Sequence, residues 1–152
     1  MFSSADIPGE IQDLLVVDTK TLQANPNLGK ALTGIWYETV ALMQRQDAKG
    51  QEARLQMAKL AGAKPEVFDG QIKTTYLYAD PKAAVAAITS PALETTMKRV
   101  RDFSFSKGLF KGAASADAVG IAFPGGKVLG DSQHVTLRFD PSFMDMAAKG
   151  KL

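Results

Sequence analysis

Two tyrosines, Tyr76 and Tyr78, are the side chains whose types and spacing best suit contact with a ligand. They bracket Leu77 in the run Thr-Thr-Tyr-Leu-Tyr at residues 74–78. Threonine and tyrosine favour an extended segment, in which alternate side chains face the same side. The two phenols could therefore meet one ligand together. Packing in the core with hydrated hydroxyls is the more common role of such tyrosines.

Two aspartates, Asp13 and Asp18, flank the apolar run Leu-Leu-Val-Val. This run is typical of a strand covered on both faces, so we expect residues 14–17 to form a buried parallel strand. The two carboxylates would then lie ~16 Å apart and could not share a proton. Asp18 falls at the carboxyl end of the strand, where open α/β sheets hold ligands. Capping a helix or turn is its more common role.

The sequence offers little that could support catalysis. It contains no cysteine and one histidine, His134, which comes just before an apparent strand and is expected at the surface. The run Gly125-Gly126-Lys127 lacks the earlier glycine and the following Ser or Thr of a phosphate-binding loop, and is expected to be a turn. We predict that the protein is not an enzyme and has no catalytic residue, metal site or cofactor.

Charge gives no sign of a polyanionic partner, because 18 Lys and Arg stand against 16 Asp and Glu and the net charge is +2. We expect no nucleic-acid binding. The first twenty residues carry acidic side chains and no long apolar stretch, which predicts neither a signal peptide nor membrane insertion. A chain expressed as written is expected in the cytoplasm.

Helices dominate the predicted secondary structure. The longest should run from Pro26 to about residue 46 and place Trp36 in the core. Further helices are expected at residues 51–61, from Pro65, from Pro81, at 91–107 and at 141–148, with a hairpin at 119–129 and an extended run at 135–139. The one apolar face predicted for the longest helix consists of Leu28, Leu32, Ile35, Trp36, Thr39 and Met43. The length fits a single domain over residues 1–152 with a helix-rich α/β fold.

Four segments together resemble the C-terminal region of periplasmic solute-binding proteins of ABC importers. These proteins are of the sulfonate, taurine and thiamine-precursor type, particularly the group called putative urea transporters. The segments are Ile-Pro-Gly-Glu-Ile at residues 7–11, Asp-Leu-Leu-Val-Val-Asp-Thr-Lys-Thr-Leu at 13–22, Asn-Pro-Asn-Leu-Gly-Lys-Ala-Leu-Thr-Gly-Ile-Trp-Tyr-Glu at 25–38, and Val-Gly-Ile-Ala-Phe-Pro-Gly-Gly-Lys-Val-Leu-Gly-Asp at 119–131.

The resemblance implies a partial lobe of the type II periplasmic-binding-protein fold. In that family two lobes enclose a small solute, and the C-terminal region returns to complete the first lobe. It further implies a periplasmic location and an ABC permease as partner. It also implies that residues 74–78 lie where the C-terminal part of lobe one contributes to the ligand site. We therefore take Thr75, Tyr76, Tyr78 and Asp18 as ligand-binding candidates.

Two functions remain open at this point. The chain is either a piece of a solute receptor that binds little alone, or a free-standing interaction module that forms homo-oligomers and has no transport role. In the second case, apolar surfaces left uncovered by the missing half would join copies of the chain.

Overall fold

The computed structural model describes residues 6–7 and 9–152. Pro8 of the first resembling segment lies outside the described residues. Contacts divide the chain into two compact units. One contains the described residues up to Leu15 with Ala84–Asp145, and the other contains Val16–Ala83 with Met146–Leu152. The single domain predicted over residues 1–152 stays a prediction.

The secondary structure is helix-rich with a small sheet, which confirms a mixed α/β chain. The helices are α1 (Thr19–Ala24), α2 (Pro26–Gln44), α3 (Ala48–Leu60), α4 (Pro65–Thr74), α5 (Pro81–Thr89), α6 (Pro91–Ser106) and α7 (Ser142–Ala148). The strands are β1 (Gly120–Ala122), β2 (Val128–Leu129) and β3 (Val135–Arg138). Proline opens α2, α4, α5 and α6 as predicted, because its fixed φ suits the first helical turn, where no N–H partner is needed.

In the unit that begins at Val16, Arg54 links three helices. Arg54 of α3 donates Nη1 to the carbonyl oxygens of Met43 and Arg45 at 2.8 and 2.7 Å. These carbonyls end α2 and would otherwise lack helical partners. The Nε of Arg54 also lies 3.2 Å from Oδ1 of Asp69 on α4. The arginine therefore fixes how α2, α3 and α4 pack.

In the other unit, α6 packs on a three-stranded sheet with the order β2-β1-β3. Strand β1 pairs antiparallel with β2, which confirms the predicted hairpin, and parallel with β3. The buried core consists of Leu93, Met97, Ile121, Phe123 and Phe139. The last two rings stack with centroids 5.5 Å apart.

The buried strand predicted at residues 14–17 is wrong. Residues 12–18 form neither helix nor strand, and the exposed fractions of Leu14, Leu15 and Val16 are 42%, 63% and 69%. A strand needs a paired neighbour, and no strand in the described part of the chain pairs with this run. Because the side chains of this run are apolar, it would gain from being covered. The residue types do not specify which surface covers it.

The core position predicted for Trp36 is also wrong. Trp36 is 42% exposed and Ile35 is 60% exposed, whereas the buried residues of α2 are Gly29 and Val40. The buried residues of the neighbouring α3 are Gly50 and Ala58. The buried positions of these two helices thus hold small or short side chains, whereas the bulky Ile35 and Trp36 of the predicted face are exposed.

Replacement of Trp36 by alanine should therefore cost only about 1 kcal/mol of unfolding free energy, against about 3 kcal/mol or more for a core aromatic. Urea unfolding followed by far-UV circular dichroism measures this, since the variant lacks tryptophan fluorescence. Trp36→Phe is the matched control and should be close to neutral. A cost of 3 kcal/mol for the alanine variant would contradict the exposed position.

Candidate ligand-binding site

The candidate site lies on the connector between α4 and α5. Thr75 is the C-cap of α4, with φ −99° and ψ 125°, and its hydroxyl donates to the carbonyl oxygen of Gln71 at 2.8 Å. The threonine thus turns the chain out of the helix. Its hydroxyl serves the end of α4 and helps to fix the point from which the connector starts.

The rings of Tyr76 and Tyr78 contact each other, whereas the sequence predicted only that they face the same side. Their ring centroids are 4.9 Å apart and their planes meet at 79°. The backbone N–H of Ala79 donates to the carbonyl oxygen of Leu77 at 2.8 Å, which closes a tight turn centred on Tyr78. Tyr76 is 77% exposed and Tyr78 is 39% exposed. The two phenols therefore face solvent and are not packed in the core.

Asp80 is a third exposed residue of the connector. Along residues 76–80 the side chains of Tyr76, Tyr78 and Asp80 are exposed, whereas Leu77 and Ala79 are partly buried. Oδ1 of Asp80 accepts from the backbone N–H of Lys82 at 3.0 Å, at the start of α5. We call the three exposed side chains Tyr76, Tyr78 and Asp80 the connector strip.

Tyr37 of α2 lies within the electrostatic influence of this strip. Burial raises the pKa of its phenol above the usual value, and the negative charge of Asp80 raises the pKa further. Asp80 and Tyr37 were not predicted from the sequence to belong to the site. The signal for Asp80 was present, because the alternation of residues 76 and 78 continues to residue 80.

Asp18 caps a helix, the more common of its two predicted roles. Its Oδ1 accepts from the backbone N–H and the hydroxyl of Thr21 at 2.9 and 3.0 Å, at the start of α1. These hydrogen bonds hold the pKa of Asp18 below its ordinary value. The carboxylate serves its own helix, and its role as a ligand-binding residue stays a prediction.

His134 forms a local pair on the surface. Its Nδ1 lies 2.6 Å from Oδ2 of Asp131, and 76% of its side chain is exposed. This hydrogen bond contributes most to a lowered pKa of Asp131. Gly125 and Gly126 both have φ 82°, as a tight turn requires, so the glycine pair before Lys127 forms the predicted turn.

Arg101 is a buried charge, which is a common sign of a functional site. Its Nη2 lies 2.9 Å from Oδ1 of Asp102, and its Nη1 lies 2.9 Å from Oδ1 of Asp117. The guanidinium thus links α6 to the short 3₁₀ turn at Ala116–Ala118 before β1. These contacts assign it a structural role.

Beyond the connector, the described residues also form shallow depressions between α3 and α4, one of them with a volume of about 210 Å³. A larger one has a volume of about 420 Å³. Its lining residues are Leu55, Gln56, Lys59, Ala63 and Pro65. Among the described residues, no group of three His, Cys, Asp or Glu side chains is placed to hold a metal ion. The prediction that the protein is not an enzyme stays a prediction.

Comparisons with known proteins found no relative of the chain. No family model, no curated protein and no solved structure matches it. Within residues 6–7 and 9–152, no helix combines the length and apolar character needed to cross a membrane.

Proposed function

We propose that the chain is the C-terminal part of a solute-binding protein of an ABC importer, of the sulfonate, taurine and thiamine-precursor type. It acts as a binding module that delivers a small solute to an ABC permease and catalyses no reaction. Its helix-rich α/β structure is then part of a type II periplasmic-binding-protein lobe, working in the periplasm.

The exposed apolar run at residues 14–17 carries this proposal. Leu14, Leu15 and Val16 leave 42% to 69% of their surface in water, although the run has the composition of a doubly covered strand. Each buried methylene contributes about 0.8 kcal/mol, so covering this run is strongly favourable. A strand supplied by the rest of a receptor would pair its backbone and cover its side chains.

The connector strip supports the binding role. Tyr76, Tyr78 and Asp80 present two aromatic rings and a carboxylate to solvent on one short segment. Ligand sites commonly combine aromatic surface with a few polar groups that fix orientation. In the proposed receptor, this segment supplies one wall of the solute cleft and the missing lobe supplies the other.

The proposal is tested by joining the chain to the in-frame coding region upstream of Met1 and measuring amide hydrogen exchange. We expect the amides of residues 14–17 to exchange rapidly in the isolated chain and to become protected in the longer protein, because they gain ladder partners. A stop codon and ribosome-binding site directly upstream, or unchanged exchange in the longer protein, would count against the receptor.

The same exposed run favours a second candidate function. A free-standing module could cover residues 14–17 with another copy of the chain, by edge-to-edge pairing or domain swapping. Such a homo-oligomer needs no solute and no permease. Its interface would be the apolar run itself.

For this second candidate we expect the isolated chain to run as a dimer or larger in light scattering at micromolar concentration. Val16→Lys should shift it to monomer, because a lysine cannot be buried at the pairing surface. Leu109→Lys is the matched control, since Val16 and Leu109 are both 69% exposed in the isolated chain. A wild-type monomer with protected amides in the first twenty residues would exclude self-association.

Charge allows a sharper test of the pairing itself. An antiparallel pair that matches all four apolar residues sets Asp13 of one copy opposite Asp18 of the other, and like charges opposite each other destabilise a sheet. Asp13→Asn with Asp18→Asn should therefore tighten dimerisation roughly severalfold. Asparagine keeps the cap of α1. Weaker dimerisation of the double variant would rule out this register.

A further inference from the structure

We propose that the connector strip binds a small organic cation of the ammonium or guanidinium class. This inference rests on the proposed solute-binding function and names the class of solute that the described half of the cleft recognises. The ligand contacts are the rings of Tyr76 and Tyr78 and the carboxylate of Asp80.

The planes of the two tyrosine rings meet at nearly a right angle. At a centroid distance of 4.9 Å and an angle of 79°, the edge of one ring meets the face of the other. One face of each ring then bounds a right-angled corner that is open to solvent. The negative face of an aromatic ring attracts a cation placed within ~6 Å of its centroid. A cation in this corner touches two such faces at once.

The carboxylate of Asp80 decides the sign of the ligand's charge. Residues 76, 78 and 80 are the exposed positions of the connector, so a carboxylate follows the second ring two residues along the same exposed segment. A carboxylate close to aromatic rings attracts cations and repels anions, so among the solutes of the proposed group it favours amines over sulfonates.

No lysine or arginine of the described residues is found over the rings of Tyr76 and Tyr78. Among the described residues, the cation found over an aromatic ring is the Nζ of Lys107, 5.4 Å from the ring centroid of Phe103. Phe103 therefore shows how an exposed ring of this chain is occupied when a lysine lies within reach. The two tyrosine rings offer the same kind of surface to a ligand.

The strip is also held in place before a ligand arrives. The hydroxyl of Thr75 ties its start to α4, the Leu77 to Ala79 hydrogen bond closes the turn at Tyr78, and Asp80 caps α5. These bonds order the backbone of the connector in the free protein, which lowers the ordering cost of binding.

The test is a titration of the 152-residue protein with guanidinium and with tetramethylammonium at low millimolar concentration, followed by NMR of the tyrosine ring signals. Ionic strength is held constant with sodium chloride. Urea is the matched neutral solute, because it shares the planar shape of guanidinium and lacks its charge. Methanesulfonate is the anionic control. We expect saturable shifts of Tyr76 and Tyr78 with both cations, and none with urea or methanesulfonate.

Variants then assign the binding to the strip. Tyr76→Ala and Tyr78→Ala should each weaken cation binding about two- to fivefold, the usual effect of one exposed ring. Asp80→Asn should weaken it while the cap is kept, since asparagine caps as well as aspartate. Asp140→Asn is the matched control, because Oδ1 of Asp140 accepts from the N–H of Ser142 at 2.9 Å in the same Asp-Pro-X geometry, without tyrosines beside it.

The outcomes separate this inference from the function on which it rests. If urea shifts the ring signals as strongly as guanidinium, or Asp80→Asn behaves like Asp140→Asn, the cation assignment is overturned while a solute site at the tyrosines stands. If none of the four solutes shifts the rings, the inference is overturned as well. The hydrogen-exchange experiment on residues 14–17 decides the receptor proposal independently.

Discussion

Replacement of Gly120 by alanine is expected to destabilise the protein by about 3 kcal/mol, the upper part of the range for overpacking. A Cβ at this position would lie 2.2 Å from the carbonyl oxygen of Asp131, 2.7 Å from that of His134 and 2.9 Å from Cα of Val135. All three atoms belong to the backbone, so no flexible side chain can move aside. Because Gly120 begins β1, the middle strand of the sheet, the strain would reach both of its neighbours.

Gly34→Ala is the matched control for this change. Gly34 lies inside α2, and a Cβ added there meets nothing within 4 Å. Alanine should stabilise the helix by up to about 1 kcal/mol, because glycine loses more backbone entropy on folding. Urea unfolding of the two variants, followed by circular dichroism, gives both values. If Gly120→Ala were tolerated as well as Gly34→Ala, the close approach at Gly120 would not be needed for the fold.

Local signals explain the parts of the fold that the sequence predicted well. The prolines of α2, α4, α5 and α6 and the glycine turn between β1 and β2 act within a few residues of themselves. The predicted run at residues 135–139 likewise became β3 through its alternation. In each case the information that fixes the element lies inside the element.

The two wrong predictions, residues 14–17 and Trp36, concern burial. Hydropathy shows which side chains would gain from leaving water, and the rest of the structure decides which of them do so. The buried residues of α2 and α3 are Gly29, Val40, Gly50 and Ala58, so these helices bury small or short side chains while larger apolar ones nearby stay exposed. The strand prediction for residues 14–17 was wrong for a different reason, because a strand is stable only when it pairs with a neighbouring strand.

The candidate site was predicted in part. Alternation predicted that Tyr76 and Tyr78 face the same side, and the structure shows their rings in contact. Asp80 was assigned only to the start of the helix that Pro81 opens, although the alternation of residues 76 and 78 continues to it. The influence of Asp80 on Tyr37 joins residues far apart in the chain, so it could be found only from the structure.

Phe139→Ala is expected to cost about 4 kcal/mol of unfolding free energy. Phe139 is 6% exposed and stacks on Phe123 with centroids 5.5 Å apart and planes 16° from parallel. Its removal would leave a cavity between α6 and the sheet, and truncation of a buried phenylalanine typically costs 3–5 kcal/mol. Its backbone N–H, which donates to the carbonyl oxygen of Ala122 at 2.9 Å, is unchanged by the substitution.

Phe103→Ala provides the matched control, because Phe103 is 60% exposed and lies on the solvent side of α6. Its loss should cost less than about 1 kcal/mol, part of it from the Lys107 contact. Both variants are measured by urea unfolding, where a lower midpoint with an unchanged slope reports stability alone. Similar midpoints for the two would place Phe139 outside the core. A much lower midpoint for Phe139→Ala alone is the expected result, because both substitutions remove a phenyl ring and only that of Phe139 belongs to the buried core of α6 and the sheet.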